Sequence, residues 1–310
     1  MNEREAIARL RRIATSEPAR GLLDDAALLG GLVYTHDSIA EGVHYRADDP
    51  PASVGWKLAA VNASDLAAKG AEPVAALLSL TLAGDGDWEA AFLDGLEAAL
   101  GEFGFELIGG DTIALPDGAP RVLGLTAIGR AGPHTPSRSG GQAGDRLWLV
   151  GTVGDSAAGL AQLIDDPSPQ GPLVEAYRRP QPLLAAGRIL APLATAMMDV
   201  SDGLLIDVSR LASASGVAAH IDLATLPLGD VLVAVRGSDR EARLFAATGG
   251  DDYALLLSLP ASVDAFTLPL PSGTRVTPIG RLDRGAGIFL TDRGETLPLP
   301  ERLGYEHRPD

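Results

Sequence analysis

Apolar residues recur along this chain at two spacings, and the alternation between them outlines its architecture. Runs rich in aliphatic and β-branched residues at 32–35, 75–82, 105–108 and 122–128 predict strands. Between them the period lengthens to that of a helix, over 52–69 and 88–103. Further along, strands are predicted at 146–150, 218–221, 253–259, 275–279 and 287–290, and helices at 156–163, 183–193, 204–215 and 240–247. At the N terminus Ile7, Leu10 and Ile13 fall at helical spacing within a charged segment. That pattern predicts an amphipathic helix over 1–13 and not a signal peptide.

One stretch breaks the pattern. Residues 130–145 are rich in Gly, Pro and Ser and carry no apolar period, which predicts a linker with a domain on each side, 1–132 and 140–310. The mixture of strands and helices predicts an α/β (α+β) class for both halves. A faint internal repeat accompanies it. Asn62-Ala63-Ser64-Asp65 precedes Gly109-Gly110-Asp111-Thr112 in the first half, and Asp199-Val200-Ser201-Asp202 precedes Gly249-Gly250-Asp251-Asp252 in the second.

Charge narrows the chemistry. The chain has 310 residues, with 41 Asp+Glu against 25 Lys+Arg and a formal charge of −16. Nucleic acid and anionic membrane repel such a surface, so neither is expected as a partner, and any phosphate compound would need cations as mediators. With no cysteine, disulfides, thiolate nucleophiles and thiolate metal sites are excluded. The apolar stretch at 74–83 is too short to span a bilayer, and 182–198 is interrupted by Arg188 and prolines. A cytoplasmic location is expected.

The candidate chemistry lies in aspartates beside Gly, Ser, Thr or another Asp at predicted element ends: Asp24-Asp25, Asp37, Asp65, Asp111, Asp199 with Asp202, and Asp251-Asp252. Any one of them alone is more often a helix cap or turn residue. Several end apolar strands, however, where ligands collect in open sheets. If they converge, mutual repulsion would force protonation or cation capture, and oxygen-only ligands favour Mg²⁺ or Ca²⁺. Asn62, Asp65 and Lys69 share one helical stripe, which also fits a plain Asp65–Lys69 surface pair. Gly109-Gly110 is expected to close the strand at 105–108 and admit a phosphate. Gly151–Ser156 follows a strand and opens a helix, which fits either free N–H groups offered to an anion or an ordinary turn with a Ser or Asp cap; no Walker loop, HExxH or Ser/His/Asp signature occurs.

Taken in order, the motifs Thr35-His36-Asp37-Ser38, Glu41-Gly42-Val43-His44-Tyr45, Asn62–Ala68, Leu107–Thr112, Gly151–Leu160, Asp199–Leu204 and Gly249–Tyr253 resemble the thiamine-monophosphate kinases of the AIR synthase-like ATP-binding superfamily. The resemblance runs from about Asp24 to Tyr305. It implies a two-domain AIR synthase-like fold, a homodimer paired through N-terminal domains, and transfer of the γ-phosphoryl group of ATP to thiamine monophosphate. By position it implies Mg²⁺ ligands at Asp25, Thr35, His36, Asp37, Asp65, Asp111, Asp199 and Asp202. It likewise implies ATP contacts at Gly110, Asp111, Arg138 and Ser201, and acceptor contacts at His44 and Asp251. The chain departs from the family pattern at Leu23, where a Gly is usual, and at His36, where a Thr is usual. It departs again at Asp251, usually Glu, and at Arg302, where an aromatic is common. Two other readings stay open: a nucleotide-binding homologue without catalysis, and another ATP-dependent enzyme of the superfamily.

Overall fold

In the computed structural model, residues 3–306 are described, apart from Pro167 and Pro169. The N-terminal half holds α1 (Glu3–Leu10), β1 (Ala27–Leu29), β2 (Leu32–Ala40), α2 (Pro51–Ala68), β3 (Glu72–Leu82), α3 (Gly86–Phe103), β4 (Glu106–Ala114) and β5 (Val122–Arg130). Its strands form a five-stranded sheet in the order β1-β2-β5-β3-β4. All pairs are antiparallel except β3–β4, which α3 joins as the crossover a parallel pair requires.

Two strands run further than their sequence suggests, and both extensions bear on function. The predicted strand stops at Thr35 because His36-Asp37-Ser38 is polar; the observed β2 continues to Ala40. Alternation is preserved: Val33, Thr35 and Ile39 are buried with Asp37 between them on one face, while His36 and Ser38 are exposed on the other. The Gly109-Gly110 pair likewise lies inside β4 and does not close a strand. Its φ values, 159° and 153°, are reachable because glycine has no Cβ; a Cβ on Gly110 would stand 2.0 Å from the Leu78 carbonyl. Every residue of β4 is exposed, so this edge strand shows no one-sided pattern to read.

The C-terminal half holds β6 (Arg146–Val150), α4 (Asp155–Asp165), α5 (Pro172–Arg178), α6 (Leu184–Leu190), β7 (Ala196–Val200), α7 (Leu204–Ser215), β8 (Ala218–Asp222), α8 (Asp230–Arg236), α9 (Arg240–Thr248), β9 (Ala254–Leu259), β10 (Val276–Asp283), β11 (Gly287–Asp292) and β12 (Glu295–Leu297). Its strands form a seven-stranded sheet in the order β12-β11-β8-β10-β6-β9-β7. Residues 131–145 contain no helix or strand. The predicted helix at 183–193 ends at Leu190, and the rest of that apolar run supplies β7, which no periodicity announced. Five consecutive buried residues look alike in a buried strand and a buried helix.

Helix α2 joins the halves. It packs on α3 and on β2 and β5 on one side, and on α6, β7 and β9 on the other. From Ser53 to Ala68 each of its residues is buried, so it has no solvent face. Close crossings make this possible: a Cβ on Gly95 of α3 would stand 1.9 Å from the Ala52 carbonyl, and one on Gly187 of α6 would stand 2.1 Å from that of Ala67. Polar residues of α2 must therefore find protein partners, and those partners form the site. Among the described residues, no helix is long and apolar enough to cross a membrane.

Candidate active site

Four segments deliver carboxylates to the buried surface around α2. Asp25 comes from the segment before β1, Asp37 from the inner face of β2, Asp65 from α2, and Asp199 from the C-terminal end of β7. Oxygens of Asp25, Asp65 and Asp199 all lie within 4.8 Å of one another. Neighbours orient them. The Thr35 hydroxyl donates to Asp65, Ser64 donates to Asp199 over 2.6 Å, and the Asn62 amide oxygen accepts the Asp37 backbone N–H over 2.9 Å. The strand-ending position of Asp199 is the one at which ligands gather in open α/β sheets.

Two cations, the buried Lys69 and the half-buried Arg138, face one side of this cluster. Lys69 is fully buried, 2.9 Å from Asp25, and also pairs with Asp24; Arg138 donates to the other oxygen of Asp25. The alternative reading, an Asp65–Lys69 surface pair, does not hold, because Lys69 turns toward Asp24 and Asp25. Burial alone would raise the Asp25 carboxyl, but Lys69 and Arg138 hold it below the usual carboxylate range. The other three acids go the opposite way. Burial, reinforced by Asp25, pushes Asp199 up to about 8, and burial with Asp25 and Asp202 pushes Asp37 up to about 6. Burial, then Asp37, Asp199 and Asp25, raises Asp65 well above its ordinary value. This surplus of negative charge, held by oxygen donors alone, fits a hard divalent cation such as Mg²⁺. Asp202 lies just beyond, 2.5 Å from Arg210, which also holds the buried Asp207 at 2.8 Å.

Two of the expected ligands stand apart. His36 is on the outer face of β2, with Nδ1 2.8 Å from the Thr126 hydroxyl. Its ring cannot reach acids on the inner face; only its backbone lies on the path between Thr35 and Asp37. Asp111 pairs in register with Ser79 of β3, which stands opposite Gly124 of β5, itself opposite Ser38. That row belongs to the outer face, and no described interaction joins Asp111 to the cluster. Gly110 shares the same exposed strand. Of the expected ATP contacts, Arg138 and Ser201 lie beside the acids and Gly110 and Asp111 do not.

The two expected acceptor contacts meet through a residue that sequence reasoning missed. Lys57 of α2 is 2% exposed, with Nζ 2.7 Å from Asp251, 2.9 Å from the His44 carbonyl and 4.2 Å from the Tyr177 ring centroid. A lysine inside the apolar run 52–61 was the available signal, since it could not stay unpaired once α2 was buried. Asp251 also accepts the Tyr253 hydroxyl over 2.9 Å. Both residues adopt left-handed backbone, φ 66° and 52°, a conformation non-glycine residues seldom hold without surrounding contacts. The segment is pinned to the end of β7, Asp251 N–H to the Ser201 carbonyl over 2.7 Å and Tyr253 N–H to that of Val200 over 2.8 Å. At Gly151–Ser156, the expected Ser or Asp cap is replaced: Gly154 is the N-cap and its N–H donates to Asp252. Arg302 is exposed, and Tyr305 N–H donates to the Asp202 carbonyl over 2.8 Å.

Two linked α/β halves with a buried acid cluster between them define the class. Residues 23–131 match the AIR synthase related protein N-terminal domain, and residues 142–291 match the corresponding C-terminal domain. The thiamine-monophosphate kinase of Salmonella typhimurium is 38% identical over 251 residues, 77% of this chain and 76% of that protein. The enzyme of the same name from Escherichia coli K12 is 36% identical, over 93% of this chain and 91% of its own. The structure of AaThiL complexed with AMPPCP and TMP superposes with a TM-score of 0.86 at 30% identity, covering 99% of this chain and 97% of that one. The chain belongs to the thiamine-monophosphate kinase family, within the AIR synthase related proteins.

Proposed function

We propose that this protein transfers the γ-phosphoryl group of ATP to the phosphate of thiamine monophosphate, giving thiamine diphosphate and ADP. The observation that carries the reading is the cluster of Asp25, Asp65 and Asp199, buried where the halves meet. The relatives' names and the ligands of AaThiL supply the substrates. Asp25, Asp37, Asp65, Asp199 and Asp202 would hold Mg²⁺, which would supply positive charge to offset that of the phosphates. Thr35, Ser64 and Asn62 keep those acids or their backbone in place. Arg138 and Ser201 meet the nucleotide, while His44 and Asp251, tied by Lys57, face the acceptor. The acceptor phosphate is already an ionised nucleophile, so alignment matters more than proton removal and no side chain need act as general base.

A homodimer in the cytoplasm completes this reading. Leu107, Ile108 and Ile113 on the unpaired edge strand β4 are 47%, 56% and 52% exposed. Apolar residues on a strand with free backbone groups favour a partner sheet. Such pairing would bring a second copy to the face that carries Gly110, Asp111 and His36, and give those residues a route to the nucleotide. We read 1–132 as the pairing and nucleotide domain and 140–310 as the second domain. A panel of phosphorylated acceptors, incubated with γ-labelled Mg-ATP, tests the assignment: label should enter thiamine diphosphate alone, and label in another acceptor would displace it.

A further inference from the structure

Lys69 stands at the C-terminal end of α2 with its side chain fully buried. Its ammonium has three N–H donors, and three oxygens surround it: Asp24 at 2.5 Å, Asp25 at 2.9 Å and the Met197 carbonyl at 3.2 Å. Two carboxylates and a main-chain carbonyl are the donors of a small cation site, and here a side chain of the protein fills it. Being tethered, it cannot leave as a free ion would.

Asp24 and Asp25 have other cations as well. Arg20 pairs with Asp24 and also donates to the Thr135 carbonyl over 2.8 Å, while Arg138 pairs with Asp25. The Arg138 backbone N–H adds a bond to Asp24 over 3.1 Å. Two guanidiniums therefore already balance two carboxylates, and these contacts hold the segment before β1 in place. Lys69 is a third positive charge. The acids it offsets in excess are those that share the cluster with Asp25, namely Asp65 and Asp199, whose oxygens lie within 4.8 Å of an Asp25 oxygen. A unit charge beside a buried site acts strongly on any ion that enters it.

We propose that Lys69 is a positioning residue of the acid cluster: a built-in counter-ion that holds Asp25 and opposes divalent ions, so that they bind loosely in the absence of nucleotide. The proposal rests on the reading that the cluster holds Mg²⁺, and deepens it. The ammonium meets part of the negative charge that a free cation would otherwise meet. Divalent ions then reach full affinity only when substrate phosphates add their own negative charge, which couples their arrival and departure to nucleotide turnover. Loss of a purely structural lysine would loosen the cluster and weaken ion binding, whereas loss of a counter-ion strengthens it. The sign of the effect separates the two roles.

Mn²⁺ serves as the probe, because it takes the same oxygen ligands as Mg²⁺ and its paramagnetic resonance counts free ions. It is added stepwise to the full, nucleotide-free chain as wild type, Lys69→Met and Lys69→Gln. The glutamine keeps an N–H donor for the carboxylates should the methionine variant fail to fold. Each neutral variant is expected to bind Mn²⁺ at least about tenfold tighter than wild type. Lys69→Met combined with Asp24→Asn removes one charge of each sign and should return the affinity to within about threefold of wild type. Unchanged or weaker binding in the folded neutral variants would overturn the proposal. If wild type binds no Mn²⁺ while the neutral variants do, Lys69 closes the site outright: the proposal stands and the magnesium reading fails. If none of them binds, both fail.

Discussion

Replacing Asp65 by Asn separates a ligand from a structural residue. Asp65 shares a site with Asp25 and Asp199, their oxygens at most 4.8 Å apart. Two unit charges at that separation repel by about 3.5 kcal/mol at an effective dielectric of 20 and by about 0.9 kcal/mol in water. Asp65 is buried and its carboxyl is raised well above the usual range, so without metal it is held toward its protonated form, which Asn resembles. The Thr35 hydrogen bond can pass to the Asn oxygen, so the lost interaction is on the order of 1 kcal/mol. Metal-free Asp65→Asn should consequently melt close to wild type near neutral pH and above it as pH rises. Mg²⁺ should stabilise the wild type by several degrees and the variant by far less, since binding to the folded state alone raises the melting temperature. The assay is thermal melting with EDTA or millimolar Mg²⁺. A variant that loses more than about 2 kcal/mol without metal, or about 4–8 °C for a domain of this size, yet keeps the full Mg²⁺ response would refute the reasoning.

Other outcomes follow from the same geometry. Asp37, Asp199 and Asp207 are raised to about 6, 8 and 7, all above their unfolded values, so the folded state binds more protons between about pH 4 and 8. Metal-free stability should fall as pH rises through that window, and urea midpoints that climb instead would contradict the shifts. Gly95→Val places side-chain atoms where even a Cβ would meet the Ala52 carbonyl, and should cost at least about 3 kcal/mol in chemical denaturation. Ile108→Arg on β4 should yield a monomer in analytical ultracentrifugation without lowering the melting temperature of each subunit; an unchanged dimer would place the interface elsewhere.

The long elements were legible because their apolar period was long: α2 and α3 begin and end within about two residues of expectation. What failed to show was whatever depends on a partner element. His36-Asp37-Ser38 reads as a turn until β5 is known to pair along its whole length, at which point alternation sends Asp37 inward and His36 outward. β7 hides in an apolar run whose strand character comes from pairing with β9. The site was half visible. Asp25, Asp37, Asp65 and Asp199 could be picked by residue type and context, but their convergence depends on α2 being buried between two sheets. The same burial explains Lys57 and Lys69, whose partners lie 194 and 45 residues away.

On the proposed function, buried aspartates gathered around α2 serve a magnesium-dependent transfer between two phosphates. Purified protein given Mg-ATP and thiamine monophosphate tests it most directly, with thiamine diphosphate and ADP measured in the same sample. Equal amounts of the two products, abolished by EDTA and nearly lost in Asp65→Asn, are predicted. ADP released with inorganic phosphate and no thiamine diphosphate, or transfer that persists in EDTA, would contradict the account.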